Sequence, residues 1–318
     1  MNSVFVLAPG EDWIIDRFVR EWTCDNGDIT VADPRVADVI WLMADFCWTH
    51  IPIGILARKK VITSIHHVVP EKFGPEQRRE FVARDRITTA YHVPNKHTEA
   101  FIRPLTQKPI HVINYWANQT IWRQTGEKHV LREKYGIPLN SFVFGSFQRD
   151  TEGHDLSSPK LEKGPDLFAD LVIRCHAEGT KTKESGYVTV GSTGVVPRNY
   201  HVVLAGWRRQ YVISRFIAAG VPYTYIERPS QETINELYQT LDLYPVTSRY
   251  EGGPQSLIEC GLLNVPCVSR DIGIASMVLP QSAITLDDTW MCEPHVPNVE
   301  HLKLPAGYEP YKRLIESL

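Results

Sequence analysis

The sequence predicts an α/β protein of two domains, each built on a parallel sheet with helices on both faces. Three observations carry this. Short apolar, β-branched runs alternate with segments of helical spacing, and the runs lack a polar face, as strands buried on both sides do. The alternation lapses once in mid-chain and then restarts. At 318 residues the chain exceeds one ordinary core and suits two.

In chain order, strands are expected at 4–8, 39–43, 60–65, 87–93 and 110–113, with helices at 12–22 and 75–84 between them. Residues 114–138 are polar, aromatic and turn-rich and break the pattern. It resumes with strands at 142–147, 202–205, 223–226, 244–246 and 266–269, and with helices near 165–176, 207–219, 231–241 and 255–263. Two stretches read as surface loops: 151–161, polar with a Ser-Ser-Pro, and 178–198, rich in Gly, Ser and Thr. The tail GYEPYKRLIESL suits a short amphipathic helix. The expected division is 1–120 for a first domain, 121–300 for a second, and 301–318 for a C-terminal helix able to pack back on the first.

Composition narrows the function classes. Apolar residues are 43% and charged residues 22%, as in a soluble globular protein, and a net charge of −3 argues against a chain that coats nucleic acid. Cysteines 24, 47, 175, 260, 267 and 292 show no metal-ligand spacing and read as small core residues in a reducing compartment. The start, MNSVFVLAPGEDW, reads as a first strand and not a signal peptide. No apolar run approaches the ~18–20 residues of a membrane span. A cytoplasmic location is expected.

The most informative stretch is YEGGPQSLIECGLLNVPCVS, residues 250–269. If the strand ends near Ser248, residues 249–253 form a turn and Pro254 opens a helix at a position where its missing N–H costs nothing. Gly252 and Gly253 let the backbone turn sharply and approach a ligand. The amides of Gln255 and Ser256 then point out of the helix start, where an anion such as phosphate is favoured. Leu257, Ile258, Gly261 and Leu262 are expected to face the sheet, with Gln255 and Glu259 sharing another face. Glu251 precedes the phosphate position and Glu259 lies one turn behind it, and a carboxylate accepts two hydroxyl hydrogen bonds from a ribose or a sugar ring. The plainer alternative is that Glu251 only complements a helix start.

EGGPQSLIEC, followed by NVPCVS and RDIG, resembles the E-x7-E donor motif of retaining GT-B glycosyltransferases, most like glycosyltransferase family 4. The chain matches at Glu251, Glu259, Pro266 and Gly273 and departs at Cys260, where Ala is usual, and at Asn264, where Gly is usual. FVFGSFQRDTEG and LEKGPDLF resemble the segments whose Arg and Lys-Gly grip the diphosphate, which implies Arg149 and Lys163, across a longer insert than usual. KVITSIHHVVPEKF resembles the strand-then-His segment of the first domain. It implies that His66 faces the donor sugar across a cleft, with His67 where many relatives have Asp. INYWANQTIW resembles the interdomain link, with Trp116 and Asn118 replacing its Gly and Asp. In APGEDW only Gly10 matches the Gly-rich loop near the diphosphate. In ERPSQETI, Arg228 stands where relatives hold the base; it could equally be solvated. The helix-start residues Gly253, Gln255 and Ser256 complete the implied donor site, while His92, His97 and His111 read as structural.

The resemblance spans most of 60–280. It implies a GT-B fold of two Rossmann-like domains and transfer of a hexose from a nucleotide-diphosphate sugar to a carbohydrate or glycoconjugate hydroxyl, with retention. Glu251 would hold the sugar, Glu259 the ribose, and Arg149 and Lys163 the diphosphate. No D-x-D occurs, so no metal and no cofactor beyond the sugar nucleotide are expected. The rivals are another sugar-nucleotide enzyme on this fold, epimerase-like, and an inactive nucleotide-sugar-binding protein. A dehydrogenase is disfavoured because no G-x-G-x-x-G follows a strand.

Overall fold

The computed structural model describes the chain apart from residues 12–13, 154, 182–186, 191–193, 198 and 286–291. It divides into two compact units, residues 1–115 with 305–318, and residues 116–304.

In the first unit, β1 (Val4–Leu7), β2 (Val39–Leu42), β3 (Lys60–Ser64), β4 (Ala90–Val93) and β5 (Ile110–Val112) pair in that order, all parallel. Helices α1 (Ile14–Asp25), α2 (Ile53–Leu56), α3 (Pro75–Asp85) and α4 (Lys96–Ile102) connect them. Every residue of β2 is buried, which its apolar sequence VIWL requires of a strand covered on both faces. Thr30 bridges Val4 on the side of β1 away from β2, so the chain reverses direction across the sheet at β1. Trp22 of α1 packs edge-on against Trp41 of β2 and against Tyr308, while Tyr311 of the C-terminal helix Glu309–Glu316 stacks on Trp41 at 5.2 Å. The amphipathic tail thus closes one face of this sheet.

In the second unit, β6 (Phe142–Ser146), β9 (Tyr200–Ala205) and β10 (Tyr223–Ile226) form one parallel set, and β11 (Tyr244–Val246), β12 (Cys267–Arg270) and β13 (Ile284–Thr285) another. A parallel bridge between Phe144 and Leu243 joins the sets, so the order across the sheet is β10-β9-β6-β11-β12-β13. This is the doubly wound order 3-2-1-4-5-6, whose chain direction reverses between β6 and β11. Helices α5 (Lys128–Lys134), α6 (Pro165–Lys181), α7 (Gln210–Ala219), α8 (Gln231–Gln239), α9 (Gln255–Leu263) and α10 (Ala275–Val278) accompany it. Local signals set their ends. The Ser230 side chain caps α8 by accepting from Thr233 N–H, and Gly220 ends α7 at φ +72°.

The stretch 178–198 departs from the expected loop. Helix α6 runs on to Lys181, and β7 (Tyr187–Val190) pairs antiparallel with β8 (Gly194–Pro197). The β-branched content of YVTV and GVVP supports a hairpin that the surrounding Gly and Ser obscure in sequence. Residues 182–186, 191–193 and 198 of that stretch lie outside the described residues, as do 12–13 of the first expected loop and helix.

Candidate functional site

Doubly wound sheets take ligands outside the carboxyl ends of their strands where the strand order reverses, and here that reversal lies between β6 and β11. Glycine makes the packing there tight. Gly164 sits at φ +60°, and a Cβ there would fall 2.0 Å from the Thr247 carbonyl oxygen. Only glycine lets the turn after Leu161–Lys163 lie against the end of β11, with Thr247 Oγ1 donating to Gly164 O at 3.0 Å. Arg249 clamps the same turn: its backbone N–H donates to Glu162 O, and its guanidinium makes two hydrogen bonds, at 2.8 and 2.7 Å, to Asp166.

This close approach sets Lys163 beside Glu251. Lys163 Nζ lies 2.7 Å from Glu251 Oε1, and Ser248 Oγ lies 2.9 Å from the same oxygen and 3.1 Å from Gln148 Oε1. Gln148 Nε2 in turn donates to Lys163 O at 2.6 Å. Two side chains, Lys163 and Ser248, therefore meet on one carboxylate, and Gln148 braces both from a third chain segment. Gln148 and Ser248 escaped the sequence reading because neither carries a charge or a motif; only the pairing of β6 with β11 brings them there.

Behind Glu251 the turn is packed against the D-x-G turn. A Cβ on Gly273, at φ +56°, would meet Pro254 Cδ at 2.6 Å and Gly252 O at 3.0 Å. Gly252, Gly253 and Pro254 are buried, and Gln255 and Ser256 are half-buried at the start of α9.

Glu259 differs from expectation. It is buried at 7% exposure and accepts a hydrogen bond from the Tyr238 hydroxyl at 2.8 Å. Burial and the neighbouring Glu259 charge push the Tyr238 phenol well above its usual range. The helix face also differs: Leu257, Ile258, Glu259, Cys260 and Leu263 are buried, and Leu262 is not. Packing of α8 against α9 turns Glu259 inward, and an i, i+4 pattern alone does not reveal that.

Along the rest of the strand ends, Arg149 follows β6, Trp207 follows β9 and Arg228 follows β10. The guanidinium carbons of Arg149, Arg208 and Arg228 lie 5.4, 5.2 and 4.8 Å from the Trp207 ring centroid. Arg149 Nε also donates to Thr151 O at 2.6 Å. Burial, then the nearby Arg208 charge, lowers the Arg149 guanidinium pKa. Beneath them Arg209 and Asp150 form a wholly buried ion pair at 2.9 Å. Arg209 also donates to Ser146 O and, at 2.9 Å each, to Ala205 O and Ser146 Oγ, tying the ends of β6 and β9 together. Burial pushes the Asp150 carboxyl up against the pull of Arg209.

The two first-unit candidates are held differently. His66 Nε2 lies 2.7 Å from Met43 O, and Nδ1 pairs with the Tyr115 hydroxyl. A carbonyl only accepts, so Nε2 carries the hydrogen and Nδ1 accepts from Tyr115. Burial lowers the His66 pKa to about 4, so the ring is neutral at pH 7. Gly10 is exposed at φ +76°; its amide and that of Glu11 donate to the Asp16 carboxylate at 2.8 and 3.1 Å. That loop therefore spends its amides on its own helix.

Neither a protein-family model nor a curated protein matches the sequence. Solved structures do. HepE of Anabaena, in complex with UDP and glucose, superposes with a TM-score of 0.66 over 89% of this chain and 84% of its own, at 14% identity. Sucrose-phosphate synthase of Thermosynechococcus elongatus gives 0.58 over 98% and 81%, at 12% identity. A glycosyltransferase of Rickettsia africae gives 0.55 over 100% and 83%, also at 12%. The chain has the GT-B fold. Both Rossmann-like units of this GT-B chain are thereby accounted for, including the 3-2-1-4-5-6 sheet that carries Lys163 and Glu251. Among the described residues no helix is long and apolar enough to cross a membrane, and no cluster of three or more His, Cys, Asp or Glu is arranged to hold a metal.

Proposed function

We propose that the protein is a glycosyltransferase that moves a hexose from a nucleotide-diphosphate sugar to an acceptor hydroxyl with retention, without a metal or other cofactor. The observation that carries this is the convergence of Lys163, Ser248 and Glu251 at the β6/β11 reversal, beside the start of α9. A carboxylate held by a cation and a hydroxyl is a fixed acceptor for sugar hydroxyls, and the cation beside it suits a diphosphate. HepE was solved with UDP and glucose, and a UDP-sugar is the first donor to test.

In this reading Lys163 and Arg149 offset charge on the diphosphate as the bond from the anomeric carbon to the phosphate oxygen breaks. The acceptor oxygen forms its bond on the same face, and the departing phosphate takes the acceptor's proton. Glu251 stabilises positive character at the anomeric carbon. Glu259, oriented by Tyr238, accepts from the ribose, and the amides of Gly253, Gln255 and Ser256 face the phosphates. His66 enters only as a neutral imidazole with both nitrogens bonded inside its own unit. A cavity of about 230 Å³ in the first unit has an apolar wall, with Ile65, Val68 and Phe81, and charged groups Asp45, Lys72 and Arg84 at its lining, which suits an acceptor with both a hydroxyl and an apolar part.

Ligand-observed NMR with UDP-, GDP- and ADP-sugars tests donor binding, and product analysis with a sugar acceptor tests transfer. Turnover is expected to persist in EDTA. An altered sugar nucleotide without acceptor would favour the epimerase-like rival. Binding with no turnover across a broad acceptor panel would favour the inactive binder.

A further inference from the structure

Trp207 is 44% exposed, yet three guanidiniums surround it, at 4.8 to 5.4 Å. Among the described residues none of the three is in an ion pair. Arg208 is buried and fixed by Gly153 O and, at 3.3 Å, Thr151 Oγ1; Arg149 is fixed by Thr151 O. Like charges gathered without a direct ion pair repel one another, as the Arg149 pKa shows: burial and then the Arg208 charge lower it, although Glu152 and Glu162 offset part of this. The cluster is also strained. Arg208 and Arg228 have φ of +63° and +46°, a region that non-glycine residues enter at a cost and that is found chiefly where function requires it. Gly206, at φ +103°, supplies the turn that lifts the indole, and its carbonyl accepts from the Tyr225 hydroxyl at 3.1 Å. The structure thus holds a partly exposed indole among three cationic side chains, two of them, Arg149 and Arg208, fixed by hydrogen bonds to neighbouring oxygens and the third, Arg228, exposed over the ring.

The strand order says what lies along it. From β10 to β11 the strand ends present Arg228, Trp207, Arg149, then Ser248 and Glu251, over three strand spacings or about 14 Å. A sugar nucleotide with its sugar at Glu251 and its diphosphate at Arg149 would direct its base to Trp207 and Arg228. Guanidinium groups only donate hydrogen bonds. Uracil offers two carbonyl oxygens and guanine offers O6 with N7, whereas adenine sets its N7 acceptor beside a donor amine and so gives a guanidinium one acceptor on that edge instead of two.

We infer that Trp207 is the stacking platform for the donor's base and that its arginine frame, Arg228 foremost, selects an oxo base, uracil or guanine, over adenine. This rests on the donor-site reading above. Titration calorimetry with UDP, GDP and ADP tests it on the full chain. ADP should bind at least about tenfold more weakly than the better of UDP and GDP, and comparing those two identifies the base. Trp207→Ala should weaken that nucleotide about 10–100-fold, the range of one lost base stack, while Trp207→Phe should stay within about threefold. Arg228→Met should shrink the preference over ADP about tenfold with the melting curve unchanged. If the three nucleotides bind alike and Trp207→Ala alters none of them, the platform is wrong; the donor site still stands if Lys163→Met loses all three. No nucleotide binding at all overturns both.

Discussion

Glu251→Gln separates a carboxylate that works in the transition state from one that only complements a helix. The amide is nearly isosteric and still accepts from Ser248 and Lys163, so the substitution removes charge and little else. At the observed Lys163–Glu251 separation of 2.7 Å, the gross attraction at an effective dielectric of 20 is about 6 kcal/mol. Desolvation offsets most of it. The side chains are 22% and 15% exposed, between a surface pair worth about 0–1 kcal/mol and a buried pair whose breakage costs about 3–5. A net loss of about 1–2 kcal/mol follows, which lowers Tm by about 2–8 °C in a unit of this size. Turnover should fall much further. If Glu251 stabilises charge that develops at the anomeric carbon, kcat drops about 10²-fold while the donor KM changes little. Thermal melts and initial rates on the same preparation read both quantities. A variant that melts lower yet turns over at the wild-type rate refutes the catalytic assignment.

Three further outcomes are expected. Gly164→Ala forces a non-glycine residue to φ +60° with its Cβ 2.0 Å from Thr247 O; the turn must move, so stability should fall by about 2–4 kcal/mol and nucleotide affinity with it. An unshifted denaturation midpoint would show that the approach is looser than observed. Glu259→Ala should weaken nucleotide-sugar binding by about 1.5–3 kcal/mol, and Tyr238→Phe, which removes one hydrogen bond to the carboxylate, by less than about 1; equal calorimetric affinities for wild type and Glu259→Ala would remove Glu259 from the site. For His66, the folded pKa of about 4 lies below the unfolded value near 6.5, so the unfolded chain binds more protons between them. Its contribution is intact above pH 6.5 and is lost as pH falls toward 4, by up to about 3 kcal/mol. Urea melts at pH 7.5 and 5 should show the loss, and His66→Gln should reduce it by about 2 kcal/mol while leaving the share of His92, whose pKa burial lowers to about 3; an equal slope in that variant would discount the desolvated neutral ring of His66.

Read alone, the sequence determined the alternation of strands and helices, the break between two α/β series, the Gly-Gly-Pro entry into α9, and Glu251 as a charged candidate beside it, while Lys163 came from the family resemblance. These are legible because hydrophobic period, turn chemistry and motif spacing are local properties of the chain. The hairpin β7–β8 was hidden because Gly and Ser dominate its surroundings, and the inward turn of Glu259 because i, i+4 spacing says which residues share a face but not what that face meets. Gln148, Ser248, Tyr238 and Trp207 had no local mark beyond their positions near strand ends, although an aromatic set in GWRR after a strand is a signal that could have been weighed. Their grouping was decided only by tertiary structure. Strand order sets which carboxyl ends are neighbours, and the absence of a side chain at Gly164 lets one backbone come close enough to another for Lys163 to reach Glu251. Both depend on contacts between residues 80 to 100 apart in sequence, as from Lys163 to Glu251 (|i−j| = 88) and from Gln148 to Ser248 (|i−j| = 100), and no local pattern along the chain encodes such pairings.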